Sequence, residues 1–264
     1  MSQMEYVDDV DFVKAKMKQF KLVDMRESLV DLVAEADDQQ MDRMAFLRYL
    51  FEIEDRGKTI RRTERLREKA GFEDIKHLED IDYSFNPSLD KNKIDELGRL
   101  GFIEAKENVL IIGPPGVGKS MIATGIGIKA CNAGKKVLFV NAKDLLDKLC
   151  EKAESGELMA VLARLDRIEL LIVDELSYIK MDKERESLFF QMIRRRYEKG
   201  SLVVTTNLPM GRWDELFTGK LAATAILDRL MHHCHILSIT GESYRIKGQN
   251  KKSVELEEQI NGQE

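Results

Sequence analysis

Apolar residues in the first seventy positions recur at three- and four-residue spacing, the period of an α-helix with one buried face. Leu22, Met25, Leu29, Leu32 and Val33 make one such stripe; Met44, Leu47, Leu50 and Phe51 make another. A third helical stretch is expected from Lys58 to Ala70, with Gly71 placed to stop it. Segment 78–88 (LEDIDYSFNPS) mixes acids, aromatics and a proline without period and reads as a connector. From residue 108 the pattern changes. Short apolar runs rich in β-branched residues cover Val109–Ile112, Val137–Val140, Leu170–Val173, Leu202–Thr205 and His235–Ile239, with room for a helix in each gap. This alternation predicts an α/β fold, a mainly parallel sheet with helices on both faces. The polar stretch after Gly248 is expected to be a frayed tail.

Composition narrows the class. The chain has 264 residues, 43 % of them hydrophobic, enough for a sizeable core. Charged residues reach 34 %, but 42 basic and 47 acidic groups nearly cancel, which excludes wholesale disorder. No apolar run approaches the ~18 residues of a membrane span. The acidic start, MSQMEYVDDVDF, does not read as a secretory signal. Three cysteines without close spacing, Cys131, Cys150 and Cys234, fit a reducing compartment. A cytoplasmic protein with no membrane partner is expected.

The first apolar run ends in Gly113-Pro114-Pro115-Gly116-Val117-Gly118-Lys119-Ser120, the pattern G-x-x-x-x-G-K-[ST] between a strand and a helix. Glycines let backbone N–H groups wrap phosphates, and the helix N-terminus adds its dipole. Lys119 supplies charge toward the β- and γ-phosphates, and Ser120 offers a hydroxyl to Mg²⁺. The third run ends in Asp174-Glu175. Asp174 is placed to hold the Mg²⁺ hydration shell and Glu175 to polarise an attacking water. The plain alternative, that both acids cap the next helix, loses beside an upstream phosphate loop. Asn207 ends the fourth run, where it either orients that water or makes an Asx turn before Pro209. Arg229, among apolar neighbours in ILDRL, is either a snorkelling surface residue or a finger offered to another subunit's γ-phosphate.

Basic residues cluster locally. Arg56, Lys58, Arg61, Arg62, Arg65, Arg67 and Lys69 stand against only Glu64 and Glu68, a net +5 within a chain of −5. That density points to phosphate contact with DNA rather than a merely solvated face. Arg194-Arg195-Arg196 reads instead as charge complementing a helix C-terminus. His232-His233-Cys234-His235 suggests a metal, but neighbours on an extended chain point to opposite faces, so zinc is rejected there.

Together GPPGVGKS, LLIVDE, VVTTN, ILDRL and GESYR resemble the AAA+ ATPases of the initiator and helicase-loader branch. Within it the chain is most similar to the IstB-like helper ATPases of bacterial insertion sequences, relatives of the helicase loader DnaC. The resemblance extends through ESLVDLVAEAD and LREKAGFEDIKHLEDIDYSF. It implies a five-stranded sheet ordered 5-1-4-3-2, ATP and Mg²⁺ held between subunits, ring or helical homo-oligomers on double-stranded DNA, and a partner transposase. Lys119 and Ser120 match Walker A, Asp174 and Glu175 Walker B, Asn207 sensor 1 and Arg229 the arginine finger. Arg245 lies where a second sensor is sought, although too little chain follows it for a helical lid. Relatives of the initiator type also imply DNA contact from the region 142–168, through Lys148, Lys152 and Arg164. The expected organisation is an all-α domain (1–75), a lidless AAA+ core (76–248) and a tail (249–264). The expected function is ATP-dependent assembly on target DNA that recruits and activates a transposase, with ATP hydrolysis. A replicative helicase loader, or a passive DNA binder with structural nucleotide, is the alternative.

Overall fold

Three helices account for most of the first seventy residues: α1 (Gln3–Gln19), α2 (Val23–Asp38) and α3 (Arg43–Ala70). The computed structural model describes residues 3–179 and 181–244 and divides into two units, Met1–Arg65 and Leu66–Glu264. Arg245 and the expected tail 249–264 lie outside the described residues. In the first unit Met17, Met25, Leu29, Leu32 and Leu50 form the core. The stripe at 44–51 is helical but mostly unburied: Leu50 is inside while Met44, Leu47 and Phe51 are exposed. The separate stretch expected from Lys58 is instead the continuation of α3. Gly57 sits in mid-helix because the Asp24 carboxylate fills its side-chain space; a Cβ there would lie 2.1 Å from that group. Buried Glu54 accepts from the N–H groups of Asp24 and Met25 at 2.9 and 3.2 Å, satisfying the first turn of α2.

In the second unit α4 (Lys91–Gly98) and α5 (Gly101–Glu104) precede the first strand. The apolar runs become β1 (Asn108–Ile112), β2 (Val137–Asn141), β3 (Leu170–Asp174), β4 (Ser201–Thr206) and β5 (Cys234–Ser238). They form one sheet, all pairs parallel, in the order β2-β3-β4-β1-β5. That is the implied order 5-1-4-3-2 read from the other edge. The fifth strand starts one residue earlier than its apolar run, and Ile239 N–H still donates to Ile112 O at 2.7 Å.

Alternation along the strands assigns the two faces. Val109, Ile111, Ile172 and Val203 pack with α4, α5 and α6 (Lys119–Asn132). Leu110, Ile112, Leu171, Val173, Leu202 and Val204 pack with α7 (Ala142–Glu154), α8 (Leu158–Leu165), α9 (Lys183–Arg196) and α10 (Lys220–Met231). Each such fully buried side chain is worth about 1.5–3 kcal/mol. Helix α6 is covered on both sides. Leu78 fits against Gly125 and Phe72 against Gly127, where a Cβ would lie 2.6 and 2.7 Å from them. The expected connector 78–88 is therefore ordered packing: it opens with a 3₁₀ turn, Leu78–Asp80, and Asn86 Nδ2 donates to Thr240 O at 2.8 Å.

Candidate functional site

The carboxyl ends of the parallel strands are where open α/β sheets bind ligands. Here β1 runs into residues 113–118, whose Gly116 and Gly118 have φ of +78° and +97°, the region that favours glycine. A Cβ on Gly116 would lie 2.1 Å from Ser243 Oγ, and one on Gly113 2.5 Å from Ile239 O. Tyr244 N–H donates to Gly116 O at 2.9 Å. The loop is thus held in an open curl by the chain after β5. Lys119 begins α6, is nearly buried, and donates its ammonium to Pro114 O at 2.8 Å.

A cavity of about 560 Å³ opens on this loop, within the ordinary range for small-molecule sites. Pro115, Gly116, Val117, Gly118, Lys119, Ser120, Glu175 and Asn207 stand on its wall. Segment 75–89 lines it with Ile75, Ile81, Phe85 and Leu89 but also with Lys76, Asp80, Asp82 and Asn86, and the rings of Phe85 and of Tyr244, another wall residue, are 4.4 Å apart. A ligand that carries both a flat ring and an anionic group fits these residues. The curled glycine backbone, the N-terminus of α6 and Lys119 suit its phosphates.

Asp174 does not line the cavity. It is buried at the end of β3, in register with Asn141 of β2. Thr205 of β4, fully buried, donates its hydroxyl to Asp174 Oδ1 and accepts from Glu175 N–H at 2.9 Å. One hydroxyl serves both acids, as its single donor and two lone pairs allow. Glu175 turns through φ +60°, uncommon for a residue with a side chain, and its Oε2 accepts from Asn141 Nδ2 at 3.3 Å. Glu175 makes no side-chain cap on the 3₁₀ turn Leu176–Tyr178, and Asp174 is engaged by Thr205. Asn207 N–H donates to Ser177 Oγ at 2.9 Å. The turn before Pro209 is closed by Thr206 Oγ1, which accepts from Leu208 N–H at 3.1 Å, so Asn207 is not needed as its Asx residue.

Gly113, Pro114 and Arg229 also stand off the cavity wall. Arg229 lies half-buried on α10, donates to Ala225 O at 2.8 Å and sits 5.0 Å from the centre of the Phe190 ring. The structure does not bring it to the cavity of its own chain.

The basic residues separate by their partners. In the first unit Arg56, Lys58, Arg62 and Arg65 are exposed; Arg61 is half-buried and pairs with Asp24 at 2.6 Å and with Glu54 at 3.6 Å. Lys58 also faces Glu54 at 3.6 Å. In the second unit Arg67 Nε donates to Asn132 at 2.9 Å, and Lys69 is exposed. Lys148 and Arg164 are exposed, while Lys152 pairs with Glu151 and Glu157 at 3.2 and 2.8 Å. Arg196 corrects the reading of the 194–196 run. It is buried, and it donates to the carbonyls of Leu165, Ile168 and Ser201, so it serves the end of α8 rather than of its own helix. Burial pushes its pKa down to about 10.

The histidine run needs a correction too. His232 keeps helical dihedrals after α10, so the extended-chain argument fails there and His232 and His233 stand together. His235 lies in β5 and pairs with Glu107 at 2.8 Å.

Sequence reasoning missed Asn141, Thr205, Ser177 and the wall at 75–89. The first two carried one available signal, their position at strand carboxyl ends beside the phosphate loop. The wall carried none, because it has no hydrophobic period.

Comparisons with known proteins assign the family. The family model described as IstB-like ATP binding protein matches residues 15–253. The ATP-binding protein of insertion sequence IS21 from Pseudomonas aeruginosa is 37 % identical over 238 residues, 90 % of each chain. That of IS232 from Bacillus thuringiensis subsp. berliner is 41 % identical over 178 residues, 67 % of this chain and 71 % of its own. Among solved structures, DnaI has the same fold at a TM-score of 0.52 and 19 % identity, covering 64 % of this chain and 89 % of its own. The order of the sheet, the glycine loop with Lys119 at its end, and a match over most of the length converge: the chain is an ATP-binding AAA+ protein and belongs to the IstB-like family of insertion-sequence proteins.

Proposed function

We propose that this protein hydrolyses ATP, assembles on double-stranded DNA with ATP between its subunits, and there recruits and activates a transposase. The Asp174–Glu175 pair carries the reading. Thr205 joins the two acids, Glu175 lies on the cavity wall, and neither acid is spent as a helix cap.

In this mechanism the backbone of 113–118 and the Lys119 ammonium bind the phosphates and offset their charge. Ser120 and Asp174 would hold a magnesium ion, which would supply positive charge to the phosphate oxygens. Glu175 accepts a hydrogen bond from the attacking water and raises its nucleophilicity, and Asn207 orients it. Arg229 reaches the site from a neighbouring subunit, consistent with its place away from its own cavity. The exposed residues Arg56, Lys58, Arg62 and Arg65 meet DNA phosphates, with Lys148 and Arg164 as a second face. The relatives' names place those proteins in insertion sequences, and that supports a transposase as partner.

The test is DNA binding and particle size with ATP, with a non-hydrolysable analogue and without nucleotide. Cooperative binding and growth in size are expected with either nucleotide. Equal affinity in all three conditions sinks ATP-bridged assembly. Retention on DNA of an insertion-sequence transposase, only when this protein and ATP are present, tests recruitment.

A further inference from the structure

Away from the nucleotide cavity, three side chains with metal-binding atoms meet at the end of α10. His232 follows that helix with φ −54° and ψ −43°, and β5 begins only at Cys234. The two imidazoles therefore leave the chain on one side, their ring centres 4.1 Å apart. Glu198 comes from the turn between α9 and β4, in a left-handed conformation with φ +57°. One donor atom from each of Glu198, His232 and His233 lies within 4.8 Å of the others. Among the described residues no other trio of His, Cys, Asp or Glu is gathered in this way.

We infer that Glu198, His232 and His233 bind a divalent transition-metal ion of the zinc class. Two imidazoles and a carboxylate suit zinc and its neighbours, whereas Mg²⁺ and Ca²⁺ take oxygen ligands. Donors around a tetrahedral zinc, at about 2.0–2.1 Å from it, stand roughly 3.3 Å apart. Small rotations of exposed side chains bring these three to that spacing, and water completes the fourth position. An orienting partner is already present: the Tyr197 hydroxyl lies 2.9 Å from Nδ1 of His232. The bound ion ties the end of α10 to the α9–β4 turn, one helical turn beyond Arg229.

Tag-free full-length protein, stripped by a chelator and free of nucleotide, is titrated with Zn²⁺ in a calorimeter. One ion per chain is expected. His233→Ala and Glu198→Gln should each weaken it at least tenfold while melting like the parent in the absence of metal. His235→Ala, whose imidazole is committed to Glu107, should bind zinc as the parent does. Co²⁺ in place of Zn²⁺ should give visible absorption bands that vanish in His232→Ala. No binding at about 100 µM Zn²⁺, or equal affinity in His233→Ala and Glu198→Gln, overturns the site.

Discussion

The two units of this chain use charged residues in opposite ways. In the α/β unit Asn141, Asp174, Glu175 and Thr205 lie at or next to strand ends, and their neighbours are set by strand register. Asn141 stands opposite Asp174, and Thr205 of the next strand serves both acids. In the helical unit the register of α3 says which face a residue occupies but not what it meets. Arg61 belongs to the same basic run as Arg62 and Arg65, yet it is directed at Asp24, 37 positions away. A parallel sheet converts short motifs into a site, whereas a helix surface leaves the fate of each arginine to distant partners.

The sharpest way to break this contrast is at the acids and the arginine of the proposed shared site. Glu175→Gln keeps size and a hydrogen-bonding head but loses the charge that polarises water. Turnover should fall by ~10²–10⁴ while ATP binding and the DNA-bound assembly persist. Arg229→Ala should lose ~10³–10⁵ in turnover and fail to assemble with ATP, with nucleotide binding to single subunits intact. Mixing the two variants restores interfaces that pair a whole site with a whole arginine, so some activity should return. Normal turnover in Arg229→Ala removes it from the mechanism.

Within the helical unit Glu54 and the exposed arginines should separate cleanly. Glu54→Leu leaves the N–H groups of Asp24 and Met25 without an acceptor and should cost about 2 kcal/mol of stability. Glu54→Gln, which keeps an acceptor, should cost less. Replacing Arg56 and Arg65 together should leave the melting temperature alone and lower the salt slope of DNA binding by roughly 0.9 per lost phosphate contact. Arg61→Ala should lower the melting temperature, because its guanidinium holds Asp24 and Glu54. A salt slope unmoved by the double replacement would return Arg56 and Arg65 to ordinary surface.

What was legible in the sequence follows the same division. The strands, their buried faces and the phosphate loop are written in local patterns, apolar runs and a fixed glycine spacing. Asn141 and Thr205 are common residues in unremarkable places and gain meaning only when three strands lie side by side. The wall at 75–89 has no period because it packs against α6 through single residues, Leu78 into the gap at Gly125 above all. Arg196 looked like its two neighbours. Burial under three carbonyls sets it apart, and no spacing rule encodes that. His232 looked extended because strand begins two residues later, yet as the cap of α10 it keeps helical dihedrals.

The smallest expected effect lies at Asn141, where one side chain has two jobs. Its oxygen accepts from Lys143 N–H at 2.9 Å, capping α7, and its Nδ2 donates to Glu175 at 3.3 Å. Asn141→Asp keeps the cap, since Asp and Asn cap about equally well, but replaces the donor by a second carboxylate beside Glu175. Asn141→Ala loses cap and donor together, at a cost of about 1 kcal/mol in stability. If the bond to Glu175 steers that carboxylate, Asn141→Asp should melt near the parent temperature while its ATP turnover shifts several-fold. If Asn141 is only a cap, turnover should stay at the parent value in Asn141→Asp, and stability should fall only in Asn141→Ala. Melting curves and steady-state ATPase on the two variants distinguish these outcomes. The contact at 3.3 Å is long for a strong hydrogen bond, so the shift in turnover should remain far below that of Glu175→Gln.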